Sequence, residues 1–108
     1  MEPTILKAGL IQSRHPLPVD LHVLDSIEDV HAYSDIERRI KEWLHANVIE
    51  TKIDHVVIYI TGLGSAVTSF LKMWTWACSS HPMPLLDIAH YDRDTDDYNR
   101  QPWDFLVE

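Results

Sequence analysis

Asp54-His55-Val56-Val57-Ile58-Tyr59-Ile60-Thr61-Gly62-Leu63-Gly64-Ser65 is the stretch on which the reading of this chain depends. Val56 to Ile60 is a continuous apolar run rich in β-branched residues, the pattern of a strand covered on both faces. The chain has three glycines, and two of them, Gly62 and Gly64, close this run. Glycine admits positive φ and lets another group approach the backbone closely. Behind the turn, Ser65 or Gly64 can cap a helix running through Ala66, Val67, Phe70, Leu71 and Trp74. A strand, a glycine turn and a helix start leave unpaired backbone N–H groups at the carboxyl end of a sheet, a place that suits an anion. A tight βα turn with no ligand stands beside that reading, because the full phosphate-binding fingerprint is absent.

On the N-terminal side, Ile5 to Ile11 reads as a strand and Leu21-His22-Val23-Leu24 as a second, shorter one. Between them Gln12-Ser13-Arg14-His15-Pro16-Leu17-Pro18 is a loop in which two prolines force extended backbone before them. Asp25 to Tyr33 is an irregular connection. Ser34-Asp35-Ile36-Glu37 has the spacing of a capping box. Ile36, Ile40, Trp43 and Leu44 then repeat at helical spacing, which predicts a helix ending near Asn47. Arg38, Arg39, Lys41 and Glu42 fall mostly on its solvated face.

On the C-terminal side, the helix from Gly64 to about Ser79 is apolar over an unusually broad surface. Val67, Phe70, Leu71, Trp74 and Cys78 make one face, and Met73 and Trp76 extend it. Such a helix must bury a second side, against more of the sheet or against a second subunit, and a homodimer contact through residues 64–79 is the expectation. Ser79 to Pro84 breaks the helix, and Leu85 to Tyr91 reads as the next strand. The acidic turn Asp94-Thr95-Asp96-Asp97 leads to Tyr98-Asn99-Arg100-Gln101, a hairpin pattern. Trp103, Phe105 and Leu106 are expected to anchor the tail. Strands alternating with helices predict a single α/β domain over residues 1–108, with a layered, mixed but mostly parallel sheet, flanking helices and a C-terminal hairpin.

Bulk properties narrow the function classes. At 108 residues the chain is long enough for one domain. No apolar run approaches the roughly 20 residues of a membrane span, so no membrane partner is expected. Met1-Glu2-Pro3-Thr4 lacks the features of a secretory signal. The one cysteine, Cys78, has no partner and reads as core, so a reducing, cytoplasmic location is the default. A net charge of −8 argues against long nucleic acids, which need a surplus of Lys and Arg, but leaves room for a small anion in a local pocket.

Two clusters accompany the glycine turn. Arg14-His15 offers a guanidinium fork for phosphate and an imidazole for proton transfer. His90-Tyr91-Asp92-Arg93 ends the last major strand; if that strand is parallel, it lies beside Gly62 and Gly64. His90 could then move a proton while Arg93 stabilises developing negative charge. The competing reading is that these residues satisfy one another in an exposed hairpin. Asp92, Asp94 and Asp96 open like a calcium loop, but Asp97 stands at position six and Trp103 at position twelve, where glycine and glutamate belong. The histidines show no zinc spacing, and Gly64-Ser65-Ala66 lacks the nucleophile elbow of a serine hydrolase. No cofactor and no metal are implied.

The unit strand-Thr61-Gly62-Leu63-Gly64-Ser65-helix, followed by a strand ending in His90-Tyr91-Asp92-Arg93, resembles the small stand-alone CRISPR-associated Rossmann-fold (CARF-like) proteins, including the ring nucleases carried by viruses. The resemblance covers about Asp54 to Gln101. It implies a Rossmann-like fold and a homodimer that binds a cyclic oligoadenylate at the carboxyl edge of the sheet. In the nuclease members it implies cleavage by 2′-hydroxyl attack on the neighbouring phosphate. By position, Thr61, Gly62, Leu63, Gly64 and Ser65 would cradle phosphate, and His90 and Arg93 would be catalytic. Arg14 as a ligand contact and His15 as a catalytic group rest on their chemistry alone. A nucleotide-binding module without catalysis, and an adaptor that docks a protein on the broad helix, are the alternatives.

Overall fold

Five strands and two helices follow one another as β1 (Ile5–Ile11), β2 (Leu21–Leu24), α1 (Tyr33–Leu44), β3 (His55–Tyr59), α2 (Gly64–Ser80), β4 (Leu85–Asp92) and β5 (Asp97–Pro102), with a π-helical segment, His45–Ile49, prolonging α1. The structure is a computed structural model and describes residues 4–11, 19, 21–29, 31–60 and 64–103. The strands form one sheet in the order β2-β1-β3-β4-β5. The β2–β1, β1–β3 and β3–β4 pairs are parallel and β4–β5 is antiparallel. The expected α/β layered, Rossmann-like architecture with a C-terminal hairpin is the observed one.

Alternation along the strands sorts side chains between two faces. Ala8, Leu10, Val56, Ile58, Leu86 and Ile88 point to one face and meet Ile36, Ile40, Trp43 and Leu44 of α1 and Ala66, Phe70, Trp74 and Ala77 of α2. Both helices therefore lie on that face and pack together, tied at their surface by Lys72 Nζ, 3.0 Å from Glu37 Oε1. The opposite face is narrower in its burial: Val57, Tyr59 and Ala89 are covered by Val19 and Tyr98. The position of Val19 fits the topology. The chain moves one way along the sheet from β1 to β2 and the other way from β2 onward, and Val19, the described residue of the first connection, packs on the face away from the helices.

Local details correct three expectations. Ser34 is not a cap: α1 begins at Tyr33 with Ala32 as its N-cap and no side-chain capping bond. A turn at Asp29 sets the helix start, its carbonyl accepting from Ala32 N–H and its carboxylate from His31 N–H. That puts Ser34 already inside the first turn. The helical stretch also runs past Asn47. Glu50 N–H donates to His45 O, five residues back, and Thr51 Oγ1 closes the end by donating toward the carbonyls of Asn47 and Val48. Cys78 is exposed, not core. The buried line of α2 runs Phe70, Trp74, Ala77, and the step of three residues to Ala77 leaves Cys78 rotated outward.

The broad apolar surface of α2 has its explanation within the chain. Val67, Leu71, Met73 and Trp76 pack against the main core that α1 shares, and Lys41 of α1 places its ammonium 4.4 Å above the Trp76 ring. Thr68, Lys72, Thr75, Cys78 and Ser79 are exposed, so the outer side of α2 is polar or small. At the C-terminal end, Trp103 packs on the core and its N–H donates to Leu86 O at 2.8 Å. Phe105 and Leu106 lie outside the described residues. Among the described residues, no helix is long and apolar enough to cross a membrane.

Candidate functional site

β1, β3 and β4 are parallel, so their carboxyl ends share one edge, and the chain order reverses between β1 and β3. A crevice opens at such a reversal because the connections leaving the two strands depart to opposite faces. The connections in question follow Ile11 and Ile60. Arg14, His15, Thr61, Gly62 and Leu63 belong to them and lie outside the described residues. What can be placed is the frame. β1 pairs with β3 through Ala8↔Ile58 and Gly9↔Tyr59, so both segments start from adjoining strands.

Gly64 opens α2 at this edge, and a Cβ built on it would meet no heavy atom within 4 Å. The space where that Cβ would stand is open. Ser65 follows with its Oγ buried and without a hydrogen-bond partner among the described residues. A first-turn hydroxyl and the N–H groups of a helix start are hydrogen-bond donors of the kind that an anion uses.

β4 continues three residues beyond Ala89, which pairs with Tyr59 at the end of β3. His90 is thus the first residue above the end of β3, on the helix side of the sheet. Its Nε2 lies 2.8 Å from Gln101 Oε1 of β5. A carboxamide oxygen only accepts, so with the amide in that orientation Nε2 is the donor of this contact. Arg93 sits in the β4–β5 turn, about 13 Å along the strand from the level of Ala89 at 3.3 Å per residue. Gly64, Ser65, His90 and Arg93 therefore lie at the same carboxyl edge of the sheet, Arg93 in the turn beyond β4.

The acidic run is built into the hairpin. Asp92 accepts from Asp94 N–H and Asn99 Nδ2, Asp96 from the Tyr91 hydroxyl at 2.6 Å, and Asp97 from Tyr98 N–H. Asp96 takes a left-handed conformation, φ 51°, which turns the chain. These carboxylates shape the loop, and among the described residues no group of three or more His, Cys, Asp or Glu is placed to hold a metal.

Two features were not visible as site candidates in the sequence. Tyr91 stands half-exposed beside His90, its hydroxyl bonded to Asp96, which pushes its phenol pKa above the ordinary value. The strand alternation that faces His90 toward the helices faces Tyr91 away from them, and that much could have been read. The second is a cleft of about 410 Å³ at the β2–α1 connection, lined by Ser26, Ile27, Glu28, Asp35 and Arg39 among others. There Arg38 is committed to Asp35 at 2.6 Å and Glu42 at 2.9 Å, whereas Arg39 is half-buried against the cleft rather than fully solvated.

No protein-family model, no curated protein and no solved structure matches this chain.

Proposed function

We propose that the protein binds a cyclic oligoadenylate second messenger of a prokaryotic or viral defence system at the carboxyl edge of its sheet and cleaves it. The observation that carries the reading is His90 above the end of β3, its Nε2 2.8 Å from Gln101 Oε1, at the edge where α2 begins with Gly64 and with a Ser65 hydroxyl that has no hydrogen-bond partner among the described residues. Ser65 and the first N–H groups of α2 donate to a phosphate. His90 Nδ1 accepts the proton of a ribose 2′-hydroxyl. The 2′-oxygen then bonds to the adjacent phosphorus, the bond from phosphorus to the 5′-oxygen breaks, and that oxygen takes up a proton. The product end is a 2′,3′-cyclic phosphate. Arg93 and the helix start offset the charge that builds on phosphorus oxygens. A homodimer suits a symmetric ring, because each copy supplies the same edge.

Incubation with cyclic tri-, tetra- and hexa-adenylate, followed by chromatography of the products, tests this. Linear products ending in a cyclic phosphate are expected from the wild type, and His90→Ala should retain binding and lose cleavage. Retained but uncut ligand would leave a binding module. Failure of every ring to bind would overturn both.

A further inference from the structure

Three tyrosines form a ladder on the helix-free face at the carboxyl edge. Tyr59 is buried at the end of β3, and the Tyr98 ring stands edge-on 5.0 Å from it. The Tyr91 ring lies 5.5 Å from that of Tyr98, its direct partner in the β4–β5 ladder. Tyr91 is thus packed from one side by Tyr98 and tethered at its hydroxyl by Asp96, yet 49% of it remains exposed. A large ring fixed at two points and left half in water is a preorganised stacking surface, since little side-chain freedom remains to be lost on binding. It also stands two residues beyond Ala89, about 7 Å above the end of β3 at 3.3 Å per residue, next to His90.

The charges around it are sorted. Arg93 follows in the turn, and Arg100 lies on the same face as Tyr98, opposite Ala89. Neither arginine is paired with a carboxylate among the described residues. The carboxylates of Asp92, Asp96 and Asp97 each accept from donors of the hairpin itself, while Asp94 follows Arg93 in the same turn. An exposed aromatic plane on a hairpin that also carries two arginines, one in its turn and one on its second strand, has the residue types that receive one nucleotide of a single strand, with its base on the ring and its phosphates on the cations.

We infer that Tyr91 is the stacking surface for a nucleobase of the ligand, with Arg93 and Arg100 contacting the phosphates that flank that base; this rests on the nucleotide reading above and adds the residue that grips the base. Stacking needs a π face and not a particular hydroxyl, so the ring is what counts.

Calorimetric titration of the wild type, Tyr91→Ala, Tyr91→Phe and Tyr91→Trp with cyclic tri-, tetra- and hexa-adenylate tests it, with far-UV circular dichroism to verify each fold. Tyr91→Ala should weaken binding about tenfold or more, while Tyr91→Phe and Tyr91→Trp stay within about threefold of the wild type. Quenching of the introduced indole on ligand addition would be further support. If the wild type binds and Tyr91→Ala matches it within about twofold, the stacking role is overturned and the nucleotide reading stands. If Phe and Trp are as weak as Ala, the ring is not the contact and the proposal fails. If the wild type binds none of the rings, both readings fail together.

Discussion

His55 Nε2 lies 3.1 Å from Asp87 Oδ2, joining β3 to β4 diagonally on the sheet face that carries no helix. The two are not ladder partners, since His55 pairs with Leu85 and Asp87 with Val57. Both side chains are mostly removed from water, with 23% and 14% exposure, so neither finds solvent as a full substitute. His55 Nε2 is buried and makes no hydrogen bond among the described residues, so this is a close approach rather than an aligned hydrogen bond, and Asp87→Ala should lower stability by about 1 kcal/mol or less in chemical denaturation. A double-mutant cycle with His55→Ala should return a coupling of about 0.5–1 kcal/mol. A coupling of zero would mean that the contact contributes nothing.

Gly64 separates the demands of the fold from those of a ligand. A Cβ there meets nothing within 4 Å, so Gly64→Ala should leave the denaturation midpoint unchanged or raise stability by up to about 1 kcal/mol. The same methyl stands where a phosphate would approach the first turn of α2. Gly64→Ala should thus weaken cyclic oligoadenylate binding in a protein that is no less stable. Ser65→Ala should do likewise, because its hydroxyl has no partner among the described residues. Unaltered affinity in both would remove the helix start from the site.

The tyrosine ladder carries a pH signature. The hydrogen bond to Asp96 raises the Tyr91 pKa, and burial, then the neighbouring Tyr59, raises that of Tyr98. In both cases the folded chain holds the phenolic proton more tightly than the unfolded chain. Their contribution is intact below the ordinary tyrosine value of about 10 and is lost as pH rises through the shifted values. Stability should fall on the alkaline side, and tyrosinate absorbance should show two late-titrating groups. Asp96→Asn should bring the Tyr91 transition back down while leaving that of Tyr98 nearly in place.

Cys78 should react with a disulfide reagent in the native protein, without denaturant, because it is exposed. Partial burial nonetheless pushes its thiol pKa up, so its rate at neutral pH should be below that of a free thiol and should climb as the pH is raised. Reaction only after unfolding would return Cys78 to the core.

The strands were legible because their signals are local. The apolar run Val56 to Ile60 and the alternation at Leu21 to Leu24 each report burial residue by residue; the first falls within one residue of β3, His55–Tyr59, and the second matches β2. Helix ends were less legible because they depend on which group reaches a carbonyl or N–H first. Asp29 started α1 ahead of Ser34, and the π turn at His45 has no pattern that periodicity detects. Cys78 was misplaced for the same reason, since a helix face predicted by steps of four drifts from one built by a step of three. At the candidate site, His90 could be named from sequence, but its partner Gln101 could not, because the pairing depends on the register of β5 against β4. Tyr91 went unnoticed because its value lies in what Tyr98 and Asp96 do to it.

The first strand of the chain, β1, is internal to the sheet, with β2 on one side and β3 on the other. Ile5 pairs with His55 and Gly9 with Tyr59, so the pairing closes across the whole of β2, α1 and the π turn. Local helix formation and the β4–β5 hairpin can proceed early, whereas β1 keeps one edge unsatisfied until β3 has been made. During synthesis the β2–β1 pair therefore precedes the strand that joins it to β4 and β5, and the emergence of β3 from the ribosome sets the earliest moment at which the carboxyl edge shared by β1 and β3 can exist.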